Sequence, residues 1–359
     1  MGFSRGKKGY KSLILILSLV FCFSSSLFGQ ETTGNLEGTV TDQSGARVAG
    51  ATINLVSESF QRTVTTDDQG FFRALQMRPG TYTVSATATN FQPYKQDNVQ
   101  VILGRTTPLN IKLAVGPVGA EVTVTGADEI AIDPTASRIQ TNLTQRELEL
   151  LPKGTNFTSA LKAVPAVREE PSAAGFAIDG ATGVENSFII DGQEVANFRT
   201  GRLNTNNNLP FQLVQEIQVK TSGFAAEFGG ATGGVINVIT RGGGNEFHGQ
   251  AGAEFRAAKL QAGPRPILGP EDTVFSYIYP RKDEGTDFFP FLSLGGPIIK
   301  DRLWFFGSAT PQFFHTNRLF TFPDGTRGEF RSEQRNNYYF GSIDAAITDN
   351  FRIYSTYTH

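Results

Sequence analysis

The sequence predicts a mainly β chain. It would hold an N-terminal β-sandwich, a mixed α+β middle, and the first strands of an incomplete transmembrane β-barrel. Three observations predict this. From 34 to 115, turn chemistry recurs roughly every 8 to 12 residues between β-branched runs, the spacing of a small sandwich. From 126 to 245, short helical signals are mixed with short strands. After Gly244 the strands become long and two-faced, apolar on one side and polar on the other.

The N-terminus reads as a targeting segment. "MGFSRGKKGYK" is basic, "SLILILSLVFCF" is an apolar run, and "SSSLFGQ" supplies small residues for cleavage. The apolar run is shorter than the ~20 residues of a spanning helix. Residues 1–29 are therefore expected to be a secretory signal peptide, cut between Ser26 and Gln30. The only cysteine, Cys22, lies inside it, and Leu19-Val20-Phe21 lack the small residues of a lipoprotein site.

An exported chain without thiols has no disulfides and no cysteine nucleophile. His248, His315 and His359 are far apart, so no metal site is expected, and no Gly-x-Ser-x-Gly occurs. The reading is a non-enzyme with no catalytic residues, metal or cofactor. A net charge of −2 implies no general attraction to nucleic acid.

In the sandwich region, "NLEGTVTD" and "ATINLVSE" are alternating strands joined by "QSGARVAG". Then come "QRTVTT", the turn "DDQG", "FFRALQ", the turn "MRPG" and "TYTVSATAT". Asp67-Asp68-Gln69-Gly70 is a turn rather than an EF-hand, which would need acids where Thr65 and Gln76 stand. Residues 116–125 form a Gly/Pro linker ending in Glu121-Val122-Thr123-Val124-Thr125. That pentapeptide is either the first strand of the next domain or an extended peptide offered to a partner's sheet edge.

In the middle region, "LTQRELELLP" has a capping-box pattern, with Thr144 as N-cap, Glu147 three residues on and Pro152 at the end. "NFTSALKAVPAV" would be a second short helix, stopped before Pro165. Asp179-Gly180 and Asp191-Gly192 read as hairpin turns rather than as a metal or acid/base pair.

The stretch "EFGGATGGVINVITRGGGNEFHGQ" (227–250) is the densest in glycine. It has no Lys after a glycine pair, and Ala231 stands where a dinucleotide loop needs its second Gly. "GGVINVIT" is too β-branched for a solvated linker. The expectation is two closely approaching strands, with a tight bend at Gly229-Gly230 and Gly233-Gly234-Val235-Ile236-Asn237 entering the second strand.

Three resemblances rest on stretches of this sequence. "GTVTDQSGARVAGATINL…TTDDQGFFRALQMRPGTYTVSATATNFQPY" resembles the carboxypeptidase regulatory-like domain, a seven-stranded sandwich, with Asn90 where that family often has glycine. "VQEIQVKTSGFAAEFGGATGGVINVITRGG", preceded by "LPKGTNFTSALKAVPAV" and "NSFIIDGQEV", resembles the plug domain of TonB-dependent outer-membrane receptors. Asp179-Gly180 replaces an Arg-Gly pair common there, so no role of that arginine transfers. "SLGGPIIKDRLWFFGS" resembles the Oar-like branch of these receptors.

The resemblance implies a mainly β fold with an N-terminal β-sandwich, an α+β plug domain and the start of an outer-membrane β-barrel. The units would be 34–115, 116–125, 126–245 and 246–359. It also implies that Glu121 to Thr125 form a TonB box, the peptide that pairs with a TonB-type periplasmic energy-coupling protein. The other partners implied are outer-membrane lipid and an unidentified extracellular substrate, with the sandwich in the periplasm. The rival expectation is an adhesion or carbohydrate-binding protein without transport.

In the C-terminal part, Phe247, Ala251, Ala253, Phe255 and Ala257 face one way and His248, Gln250, Glu254 and Arg256 the other. Further strands are expected at "FFPFLSLGG", "DRLWFFGSATPQFF", "NNYYFGSIDAAI" and "FRIYSTYTH". Polar loops are expected near 258–287 and 315–334. From Asp287 on, 17 of 73 residues are aromatic, about twice the chain-wide 11%, as interfacial girdles require. That leaves room for five or six strands, whereas plugged barrels have about 22. The expectation is the N-terminal part of a longer protein.

Overall fold

The computed structural model describes residues 31–57, 61–116, 122–125, 139–151, 154–170, 175–197, 200, 202–224, 228–271, 274–278, 281–322, 324–348 and 351–359. The expected signal peptide, Glu121 and Pro152 lie outside them.

The first unit is a two-sheet sandwich of β1 (Gly34–Asp42), β2 (Thr52–Val56), β3 (Gln61–Thr65), β4 (Phe71–Met77), β5 (Gly80–Thr87), β6 (Tyr94–Val101), β7 (Thr106–Pro108) and β8 (Ile111–Leu113). β7 and β8 lie one after the other parallel to β1, so together they act as one broken strand and complete a seven-stranded sandwich. Alternation makes the core: Leu36, Val40, Ile53, Leu55, Phe72, Val84 and Ile111 point inward and are fully buried. The turns follow their chemistry. Asp67 Oδ1 accepts the N–H groups of Gln69 and Phe71, and Gly70 takes φ +69°. Asn90 sits at φ +70°, which explains how it stands in for glycine.

A ninth strand, β9 (Val122–Thr125), joins the second sheet, whose order is β3-β2-β5-β6-β9. It runs parallel to β6, with Tyr94 opposite Val122 and Asp97 opposite Thr125.

The middle unit contains β10 (Ile139–Thr144), α1 (Gln145–Leu150), β11 (Val167–Glu170), β12 (Gly175–Ile178), β13 (Ser187–Ile190), β14 (Gln193–Glu194), β15 (Val214–Ser222) and β16 (Val235–Thr240). Its main sheet has the order β10-β15-β16-β13-β14. Glu147 accepts the Thr144 N–H at 2.8 Å and so fixes the start of α1. "NFTSALKA" forms a 3-10 turn over Phe157–Ala163 instead of an α-helix. Both Asp-Gly pairs have positive φ at both residues, the type I′ geometry.

The last unit is an open, twisted sheet of barrel wall: β17 (His248–Ala257), β18 (Ile267–Glu271), β19 (Val274–Ile278), β20 (Thr286–Ile299), β21 (Leu303–Ala309), β22 (Gln312–Thr321), β23 (Arg327–Asn336), β24 (Tyr339–Thr348) and β25 (Phe351–Thr358). β18 and β19 make a separate hairpin, while the rest form one sheet. β21 and β22 are one run interrupted at Thr310-Pro311, where proline has no N–H for a ladder. The stretch near 315–334 is not a loop. It is the β22–β23 hairpin, held in register from Gln312↔Asn336 to Thr321↔Arg327. Its polarity misleads because both faces are polar, with charges paired along them, such as Arg331 with Glu333 at 2.6 Å.

The wall has two faces. On β24, Tyr339, Ile343 and Ile347 are exposed, while Phe340, Ser342 and Asp344 are buried. Phe255 is 68% exposed on the outer face, whereas Trp304, Phe306 and Phe340 point inward. Phe306 and Phe340 belong to the same apolar cluster as Ile217, Val219, Ile236 and Val238 of the middle unit, so the wall wraps the plug-like sheet.

Candidate functional site

Three joints connect the candidate residues. The first is β9 on β6. Of the TonB-box-like pentapeptide, Val122, Thr123, Val124 and Thr125 form an added edge strand on the sandwich. Glu121 lies outside the described residues.

The second joint is between the sandwich and the middle sheet. β15 alternates strictly: Ile217 and Val219 enter the apolar cluster, while Glu216, Gln218 and Lys220 face the other way, all buried. Asn237 of β16 stands opposite Gln218 on that polar face. The sandwich covers it with the corner that follows β6. Leu103 donates its N–H to Glu216 at 3.1 Å, and its C=O accepts from Gln218 at 2.8 Å and Asn142 at 3.1 Å. Glu31 adds an ion pair to Lys220 at 2.7 Å and accepts from Asn237 at its carbonyl. Lys220 Nζ also lies 4.1 Å from the Phe228 ring centroid. Gly104 takes φ +68°, and a Cβ there would lie 2.5 Å from Gln218 Nε2, so the corner requires glycine.

Burial dominates the electrostatics of this joint. It raises the Glu216 carboxyl from 4.5 to about 7, against the opposing hydrogen bonds from Asn142 and Leu103.

The third joint is with the barrel wall. Asp191, in the β13–β14 turn, accepts from Thr240 N–H at 2.9 Å and Thr240 Oγ1 at 2.7 Å. Thr240 Oγ1 is 3.0 Å from the Tyr354 hydroxyl of the wall. Burial also holds the Asp191 carboxyl above its ordinary range. Beside it, Arg78 of the sandwich reaches Asp344 at 3.4 Å, and Arg352 reaches the same carboxylate at 2.8 Å. Arg78 lies over the Tyr354 ring as well.

The glycine-rich stretch threads these joints. Gly229 and Gly230 lie in a turn, with Gly230 at φ +98°. A Cβ on Gly233 would meet Asn186 Oδ1 at 2.6 Å, and one on Gly234 would meet the Ile178 side chain at 2.7 Å. Val235, Ile236 and Asn237 begin β16, which is buried throughout and paired with β15 and β13. Beyond it, Gly242 passes against Arg78 and Gly243 against the backbone of Phe305. Asn245 then accepts from Trp304 Nε1 at 2.7 Å and from the Asp301 N–H at 2.9 Å, pinning the crossing into the wall.

Sequence reasoning located the close-packed glycines, the turns and the extended form of residues 122–125. It missed Arg78, Asp344, Glu216 and Leu103, whose roles come from contacts far apart in the chain. The only available signal was the alternation "QEIQVK", which marks a polar face without saying what covers it. Among the described residues no group of His, Cys, Asp or Glu is arranged to hold a metal.

Comparison with known proteins follows this division. Residues 35–114 match the carboxypeptidase regulatory-like domain, and residues 132–235 the TonB-dependent receptor plug domain. The TonB-dependent transporter Oar of Myxococcus xanthus is 33% identical over 320 residues, which cover 85% of this chain and 29% of that relative. The chain thus spans less than a third of the relative's length. Among solved structures, the outer membrane transporter YddB from Escherichia coli is similar with TM-score 0.47 and 18% identity, over 60% of this chain and 32% of that one. The ferric enterobactin receptor PfeA of Pseudomonas aeruginosa, in complex with enterobactin, gives TM-score 0.43 and 17% identity, over 62% and 33%.

Proposed function

We propose, for a chain that belongs to the TonB-dependent receptors, that it serves energy-coupled uptake of an extracellular substrate across the outer membrane. The observation that carries this is the placement of a plug sheet against the inner face of a barrel wall, with a strand-forming peptide just upstream of it. The outward residues Phe247, Phe255, Leu292, Ile343 and Tyr357 are exposed apolar side chains suited to lipid. Val122 to Thr125, with Glu121, supply backbone donors and acceptors to a TonB-type partner, in the manner of strand addition. A pull on this peptide would loosen the buried β16 from the wall residues Phe306 and Phe340 that share its apolar cluster. Adhesion without transport leaves a plug of this kind without a task and is not favoured.

The test is co-purification of the full-length receptor with an immobilised periplasmic domain of a TonB-type protein. Val124→Pro removes one backbone donor and fixes φ, and is expected to abolish retention. Undiminished retention of that variant would overturn the assignment of residues 121–125.

A further inference from the structure

The strand that a partner would pull is already paired, and its neighbour leads directly into the plug. β9 lies on β6 over four register pairs. β6 ends at Val101, two residues before Leu103, whose N–H and C=O are gripped by Glu216, Gln218 and Asn142 of the plug sheet. Arg105, two residues further on, donates to the Gln140 carbonyl at 3.2 Å. The covalent route is much longer. Between Thr125 and the first plug strand at Ile139 stand residues 126–138, a contour of about 45 Å when fully extended.

We propose that the N-terminal sandwich is a mechanical coupler. A strand of the TonB-type partner adds to the outer edge of β9 while β9 stays on β6. Force then passes through β6 and the Leu103-Gly104 corner into β15 of the plug. This rests on the reading of residues 122–125 as the partner's peptide. Three features support it. β9 is the outermost strand of its sheet, so one hydrogen-bonding edge faces away from β6. A peptide already ordered as a strand loses less freedom when a second strand joins it. The corner is held by several directional hydrogen bonds on one short backbone segment, so it transmits displacement with little slack.

The experiment is force spectroscopy on the full-length receptor in a supported membrane, pulled by a tip carrying the periplasmic domain of a TonB-type protein. Wild type is expected to show plug resistance as soon as the bond is loaded. Gly104→Val, which puts side-chain atoms onto Gln218, is expected to delay that resistance by up to about 45 Å, the full contour of the covalent route. Asn142→Ala with Glu216→Ala and Gln218→Ala removes the three plug side chains that hold Leu103 and leaves the sandwich sequence untouched, so it should give the same delay. An onset unchanged in both variants would overturn the proposal. A Gln96→Cys/Val124→Cys pair, opposite each other in register, locks β9 to β6. The oxidised form is expected to bind the partner within threefold of the reduced form. A tenfold loss restored by reduction would show that β9 must leave β6, and would also overturn it. The underlying reading fails separately, if Val124→Pro binds like wild type.

Discussion

The two faces of the plug sheet are held in different ways. On one face Ile217, Val219, Ile236 and Val238 share a core with the wall residues Phe306 and Phe340. On the other, Glu216, Gln218, Lys220 and Asn237 are buried beneath the sandwich through named hydrogen bonds. Apolar contact is non-directional and scales with area, so it survives small sliding. Hydrogen bonds weaken over a few tenths of an ångström and with angle. On the wall side the directional ties sit at the ends of these strands, Thr240 to Tyr354, Arg241 to Gln250 and Gln212 to Glu254. The middle of the sheet is therefore gripped on the sandwich side and packed by apolar contact on the wall side, an asymmetry that suits the proposed drawing of the sheet past a barrel. The buried polar face carries a cost. Unpaired atoms remain at Gln218 Oε1 and Asn237 Oδ1, and such groups are each unfavourable when dry.

The largest expected effect is at the point where sandwich and wall meet. Asp344→Ala leaves Arg78 and Arg352 without the carboxylate they share. Removing one side of a buried ion pair costs about 3–5 kcal/mol. Thermal unfolding of the purified protein should report a marked loss, and a small one would mean that the wall tie is dispensable.

The next effect distinguishes the faces by pH. Docked, Glu216 titrates near 7; exposed, it would return toward 4.5. The docked state therefore favours the proton. The joint is strongest below pH 4.5 and weakens as pH rises through 7, by up to about 3 kcal/mol at 1.36 kcal/mol per unit. Protection of the Leu103 amide, corrected for intrinsic exchange, should fall across that window. Glu216→Gln should flatten the dependence, whereas an equal slope in this variant would remove Glu216 from the explanation.

On the apolar side, Gly234→Val would drive a side chain into Ile178, and overpacking of this kind costs about 1–3 kcal/mol. A denaturant midpoint for the plug would register it. The smallest effect is Thr144→Ala, which removes the hydroxyl bonded to Glu147 at the start of α1. A cap of this type contributes about 1 kcal/mol, read as a small drop in the same midpoint.

Much of this architecture was legible because it is local. The capping box at Thr144, the two Asp-Gly turns, the sandwich turns and the two-faced wall strands each depend on residues within a few positions. The joints were not legible, because Leu103 and Glu216 are 113 residues apart and Glu31 and Lys220 are 189 apart. Glu216 in "QEIQVK" looks like an ordinary solvent-facing acid until the sandwich is placed over it. The β22–β23 hairpin was read as loop for a related reason. Strand β23 carries Arg327, Glu329, Arg331, Glu333 and Arg335 on one face and Ser332, Gln334 and Asn336 on the other, so neither face reads as apolar. Cross-strand pairing between partners such as His315 and Glu333 shows that it is a strand.

The claim that the sheet is gripped on one face and packed independently on the other is most directly tested by native-state hydrogen exchange in the Asn142→Ala/Gln218→Ala variant. The account predicts faster exchange at the Leu103 amide with Val238 unchanged. Exchange that rises at both amides together would contradict it, because the two faces would then open as one.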